Sequence, residues 1–137
     1  MDLLIVLQEL SKGYTCVAYS GETLYTSTQR GVAPLLNWLE EDLSLETFQV
    51  ADKVVGKGAA FLYLLLGAKR IYAAVISVPA LNVLKSHGVA VTFTTLVPAI
   101  QNRDHTGFCP IETAVLDCES PEEALIKIKK RLQELKK

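Results

Sequence analysis

The sequence has little of what marks most specialised protein classes. Its charge is almost balanced: fourteen basic and fifteen acidic residues leave a formal net charge of -1. There is no global electrostatic footprint for nucleic acid, so no nucleic-acid partner is expected. Cysteine is scarce. Cys16, Cys109 and Cys118 form neither a paired framework nor a C-x-x-C motif, which excludes a disulfide scaffold and predicts a reduced, cytoplasmic setting. His105 and Cys109 stand four apart with no third ligand nearby. Zinc needs three or four such donors at productive spacing, so no metal site and no cofactor are expected. The apolar run from Gly58 to Ala68 is eleven residues long and stops at Lys69-Arg70. A spanning helix needs about 20 residues, so the run reads as a core helix and no membrane association is expected. The start, MDLLIVLQELSKG, lacks a basic region and a small-residue cleavage site, which predicts no signal peptide. Internal repeats and low-complexity tracts are absent.

What is present suits one domain over residues 1–137. Half of the residues are hydrophobic and 21% are charged, a globular composition. A chain of this length buries roughly two thirds of its unfolded surface and needs no covalent staple.

Asp2 caps a first helix whose Leu3, Leu7 and Leu10 share a face and which Gly13 stops. YTCVAYSGETLYTST reads as a hairpin turning at Ser20-Gly21. APLLNWLEEDL reads as a short helix with Pro34 at its first position. A linking segment through Phe48 and Val50 leads to Asp52, taken as the cap of a buried helix that Gly67 ends. IYAAVISV is an unbroken apolar run and reads as a central strand. SVPALNVLKSHG follows as a helix capped by Ser77, with His87 at its C-terminal end, and VAVTFTTLV as the next strand of a parallel crossover. After a long polar connection, TAVLD reads as a last strand. The final helix opens with Ser120, Pro121 and Glu123 and carries an apolar stripe of Leu125, Ile128, Leu132 and Leu135. Its basic end reads as a solvated face, because no aromatic residues are interleaved. The order predicts a three-layer α/β/α domain around a five-stranded mixed sheet.

The stretch ADKVVGKGAAFLYLLLG, beginning at Ala51, breaks several helix rules in its first turn. Lys53 and Lys57 are spaced to share a helix face and repel, and a lysine at a helix start opposes the dipole. Gly56 and Gly58 each cost about 1 kcal/mol in a helix interior. An anion held by free backbone amides and both lysines would reconcile these features, with the glycines permitting close approach. The bland alternative is that Gly58 serves close helix packing and the lysines point into water.

Ser77, at the carboxyl end of the central strand, is a second helix start that can donate to a ligand, or simply an N-cap. In NRDHTGFCPIE, Arg103 can clamp a phosphate or carboxylate, while Asn102, Asp104 and His105 can equally be turn formers. Cys109 is a nucleophile if its thiol pKa is lowered, and otherwise a small buried hydrophobe.

At ADKVVGKGAA, VISVPALNVLKSHG, LVPAIQNR and CPIE the sequence resembles a small prokaryotic domain-of-unknown-function family placed in the cytidine deaminase-like superfamily. The resemblance covers nearly the whole chain and implies a three-layer fold with a five-stranded mixed sheet. The matching motif positions are Asp52, Lys53, Gly56, Lys57, Ser77, Asn102, Arg103, Cys109, Pro110 and Glu112. Zinc deaminases carry H-x-E or C-x-E at one helix start and P-C-x-x-C at the next. Here those places read Asp52-Lys53 and Ser77-Val78-Pro79. The resemblance therefore implies the fold and a pocket location without the zinc motif.

Three functional expectations follow. The first is a domain that binds a small anionic, nucleotide-like ligand at two helix N-termini. Lys53, Lys57 and Arg103 would neutralise charge, Gly56 and Asn102 would contribute to the site, and Asp52 and Ser77 would hydrogen-bond. Cys109, Asp52 and Lys57 are the catalytic candidates if a reaction occurs. The second is a non-catalytic structural or regulatory interaction domain, with homo-oligomerisation through apolar faces. The third, a metal-dependent deaminase, lacks its ligand set.

Overall fold

The computed structural model describes residues 2–29, 31–101, 107 and 109–135. Chain order is helix α1 (Asp2–Leu10), strands β1 (Cys16–Ser20) and β2 (Thr23–Ser27), helix α2 (Ala33–Glu40), and strand β3 (Gln49–Val55). Helix α3 (Lys57–Leu65), strand β4 (Arg70–Ser77), helix α4 (Val78–Ser86), strand β5 (Ala90–Val97), and helices α5 (Pro110–Ala114) and α6 (Pro121–Leu135) follow. The strands form one open sheet in the order β2-β1-β3-β4-β5. β1 runs antiparallel to β2 and β3, whereas β3, β4 and β5 are parallel. The sheet is therefore five-stranded and mixed, as expected from the sequence.

Period-two alternation sorts β1 between two cores. Val17 faces α1 and packs with Val6, Leu10 and Ala51. Cys16 and Ala18 face the larger core built on α2, α3, α4 and α6. α3 is buried nearly all round, with Gly58 through Tyr63 buried in succession. An apolar helix of this kind belongs inside a domain, not on its surface. Among the described residues, no helix is long and apolar enough to cross a membrane.

Two expected elements differ. The segment read as a link is β3, at the centre of the sheet, and Asp52 and Lys53 are strand residues and not a helix start. Asp52-Lys53 interrupts the apolar residues of this strand, which hid it. The expected last strand, TAVLD, is not a strand. Thr113 and Ala114 belong to α5, where Thr113 N–H donates to the Cys109 carbonyl at 3.1 Å and Pro110 sits in the first turn. Proline at that position favours a helix start and removes an amide that a strand needs.

The predicted caps of the two later helices are present. Ser77 Oγ accepts from Ala80 N–H at 3.2 Å and Ser120 Oγ from Glu123 N–H at 3.2 Å. His87 Nδ1 meets the Val83 carbonyl at 2.9 Å, at the end of α4.

The stripe of α6 is narrower than its sequence suggests. Ile128 is fully buried, Leu125 and Leu132 are half-buried, and Leu135 is 56% exposed. Ile128→Ala should therefore lower unfolding free energy by roughly 2–5 kcal/mol, measured by urea titration. Leu135→Ala should change it by less than about 0.5 kcal/mol. Equal effects would contradict this packing.

Candidate functional site

β1 and β3 bring Cys16 and Asp52 opposite each other in register. Both reach Tyr63, which α3 presents from above. Tyr63 Oη donates to Asp52 Oδ2 at 2.6 Å, and Val54 N–H donates to Oδ1 at 3.3 Å. Cys16 Sγ lies 3.2 Å from the same phenolic oxygen. With the phenolic proton directed at an ionised Asp52, the thiol is the donor in that contact.

All three side chains are buried, with Asp52 7% exposed. Burial dominates their titration. It raises Asp52 to about 7, although the bonds from Tyr63, Val54 and Lys53 favour the ionised form. Burial, reinforced by the charge of Asp52, also pushes the Cys16 thiol and the Tyr63 phenol well up. Cys16 is therefore an inert thiol.

The start of α3 lies beyond β3, with Gly56 as its N-cap. A carboxylate already occupies it. Glu112 of α5 accepts from Lys57 N–H at 2.6 Å and from Gly58 N–H at 3.0 Å. A helix start leaves its first amides unpaired, and an anion there is favoured by the dipole.

The two glycines are explained by the same contact. A Cβ at Gly56 would fall 2.4 Å from Glu112 Oε1, and one at Gly58 would fall 2.8 Å from Ile111 Cγ2. Lys57 turns away from its own amide and donates from Nζ to the Leu116 carbonyl at 2.8 Å, with Nζ 5.8 Å from the Phe61 ring centroid. The sequence expectation of free amides awaiting an external anion is corrected here: two of those amides hold the chain's own Glu112, and Lys57 binds the turn that follows α5.

Beside this junction lies a cleft of about 770 Å³. Asp52, Lys53, Gly56, Cys109 and Glu112 line it, against Val32 and Pro34 on the α2 side. Four expected site residues, Asp52, Lys53, Gly56 and Cys109, lie together in this cleft, joined by Glu112, which was expected only as a matching motif position. Ser77 does not line the cleft. It is fully buried, and its hydroxyl caps α4. Asn102 and Arg103 lie outside the described residues. Among the described residues, no three His, Cys, Asp or Glu side chains are grouped to hold a metal ion.

The sequence reading missed Tyr63 and Cys16. A signal existed for the first: a tyrosine in a helix buried all round requires a partner for its hydroxyl. Pairing of β1 with β3 is long-range, so no local pattern marks Cys16.

Two measurements check this geometry. Glu112→Ala should cost about 1–3 kcal/mol, since it leaves two partly buried amides without their charged acceptor. Gly56→Ala should displace the same carboxylate. In a double-mutant cycle its cost should largely vanish once Glu112 is alanine, giving a coupling of roughly 0.5–3 kcal/mol; additive effects would contradict the contact.

Asp52 also predicts a pH dependence. Its folded pKa of about 7 lies above its ordinary value of 3.8. The folded state thus holds a proton that the unfolded chain releases. The associated stability is fully present below about pH 4 and is lost as pH rises through about 7, with a slope of at most about 1.4 kcal/mol per pH unit. Subtracting the stability–pH curve of Asp52→Asn from that of the parent should recover this contribution. Parallel curves would refute it.

The family model described as "TM1506: Domain of unknown function (DUF1893)" matches residues 5–132. A crystal structure of a DUF1893 family protein from Thermotoga maritima is similar at a TM-score of 0.87 and 31% sequence identity. The match covers 97% of this chain and 89% of that one. No curated protein matches. The chain belongs to the DUF1893 family, a domain of unknown function.

Proposed function

We propose that the protein binds a small nucleotide-like molecule in the cleft beside β3, with Asp52 as the group that reads it. One observation carries this reading: a buried carboxyl on the cleft wall with a pKa raised to about 7. Such a group changes protonation near neutral pH, so it can accept from a ligand N–H or donate to a ring nitrogen. Pockets with apolar walls and a few convergent polar groups are the usual sites for small ligands. Val32, Pro34 and Ile111 give such walls here. Lys53 is the cation among the described lining residues and is exposed, which supports an anionic group on the ligand near the rim. Cys109 is the lining thiol left for covalent chemistry, since Cys16 is engaged with Tyr63.

This reading moves the anion expected from the sequence away from the start of α3. Glu112 supplies that charge internally, and Lys57 holds the turn that follows α5. The deaminase-like assignment is part of the same proposal. Its support is the pair of helix starts, Gly56 after β3 and Ser77 after β4, on adjacent parallel strands.

A thermal-shift panel of nucleosides, nucleotides and inorganic phosphate tests the proposal. A ligand at a hundred times its Kd should stabilise the fold by about 2.7 kcal/mol. Asp52→Asn should weaken nucleosides and nucleotides alike, and Lys53→Ala only the phosphorylated ones. A panel without a shift, or an Asp52→Asn variant that binds as the parent does, ends the proposal.

The alternative, a non-catalytic interaction domain, is favoured by one different observation. The edge strand β5 is largely exposed along its length.

A further inference from the structure

Tyr63 is fully buried, and its hydroxyl has two partners among the described residues: Asp52 Oδ2 at 2.6 Å and Cys16 Sγ at 3.2 Å. A hydroxyl has one proton to give, so the phenol donates to one partner and accepts from the other. Which way round depends on Asp52. An ionised carboxyl has no proton, so Tyr63 donates to it and the Cys16 thiol donates to Tyr63. Both states of the carboxyl are populated near neutrality, because Asp52 titrates at about 7. Burial pushes the pKa values of its neighbours Cys16, on β1, and Tyr63, on α3, well up, so both stay neutral there. Ala73 stands opposite on β4, Lys53 is exposed, and Glu112 is engaged with the first amides of α3. The titration in this cluster therefore belongs to Asp52.

A proton taken up by Asp52 has two places to sit. Oδ1 is met by the Val54 N–H at 3.3 Å, which is a donor, and no acceptor faces it among the described residues. On Oδ2 the proton meets the phenolic oxygen, at a distance that suits an O–H···O bond in either direction. The carboxyl O–H then replaces the thiol, a weak donor, as the group that donates to Tyr63. Tyr63 turns its own proton to Cys16 Sγ. No proton passes between residues: the phenol and the thiol keep theirs, which rotate about the C–O and C–S bonds.

We propose that Tyr63 is a positioning residue: it accepts the proton of neutral Asp52 as a hydrogen bond on the buried side, so the carboxyl oxygen left for the cleft is an acceptor in both protonation states. Asp52 lines the cleft and Tyr63 does not, which puts Oδ2 on the inner side and leaves Oδ1 to face outward. The consequence for specificity rests on the reading of the cleft as a ligand site. Of the two ways Asp52 could meet a ligand, only accepting remains. The ligand class is then a base that brings an amino or imino N–H to Asp52, and a bare ring nitrogen at that place is rejected.

Infrared spectroscopy of the S–H stretch tests the arrangement on the full chain without a ligand. Cys16→Ala identifies the Cys16 band by difference. In the parent, the thiol donates when the pH is about two units above the Asp52 pKa. About two units below it the band should move to higher frequency, as the thiol stops donating to Tyr63. Tyr63→Phe and Asp52→Asn should each abolish this response. Tyr63→Phe should also raise the Asp52 pKa, read by carboxyl-carbon NMR, because the phenol bond favours the ionised form. A band that stays fixed in the parent puts the proton on the cleft side and overturns the proposal. So does a response that survives Asp52→Asn, an outcome that stands even where Tyr63→Phe fails to fold. Thermal shift reads the specificity. Adenosine and cytidine should bind at both pH values, and the forms of each with a dimethylated amino group roughly tenfold or more weakly. Dimethylated forms that bind as well as the amino forms overturn the donor requirement. A panel in which no nucleoside binds ends the ligand reading alone, and the thiol band still decides the role of Tyr63.

Discussion

Glu112 reaches from a five-residue helix to the first two amides of α3, and much of the local architecture depends on that contact. α5 is too short to hold itself in place, because helix nucleation is costly and one turn returns little. It is anchored from outside, by the carboxylate on α3 and by Lys57 on the Leu116 carbonyl. In all three bonds α3 donates, from two main-chain amides and one ammonium, and the α5 segment accepts. The carboxylate satisfies amides that the start of α3 leaves unpaired. The close approach they require is possible only because Gly56 and Gly58 lack a Cβ. One wall of the cleft is therefore set by a contact between residues 55 positions apart in the chain.

The two carboxylates at this place are in opposite electrostatic situations. Glu112 sits on amides at the positive pole of a helix, where a negative charge is favoured. Asp52 lies in a strand among buried groups, and its phenol and amide donors do not offset the loss of water. The first is structural glue. The second retains a proton near neutrality, which makes it the chemically distinctive group of the cleft.

Much of the fold was legible. The hairpin, the apolar strand over residues 71–77, both capped late helices and the proline-led α2 follow from local turn, cap and periodicity signals. β3 was not, because Asp52-Lys53 in the middle of it reads as a helix start until Tyr63 is seen to satisfy the carboxylate. α5 was not, because a β-rich TAVLD loses to Pro110 and to the anchoring of Glu112. The site was legible in its membership more than in its roles. Asp52, Lys53, Gly56 and Cys109 do line one cleft, whereas Ser77 is occupied in capping α4 and Lys57 in binding the turn after α5.

By itself the sequence determined the class of the fold, the ends of most elements and the oddity of the stretch after Ala51. These are local matters: proline and glycine positions, capping side chains and the spacing of apolar residues act within a turn or two of the chain. Only the tertiary structure decided what the oddity is for. The lysine, the glycines and the aspartate that looked like one helix turn belong to two elements. Their partners, Cys16, Tyr63, Glu112 and Leu116, come from other segments. Whether a charge is solvated, paired or desolvated depends on what the folded chain places around it, and that is set by contacts across the sheet and between helices.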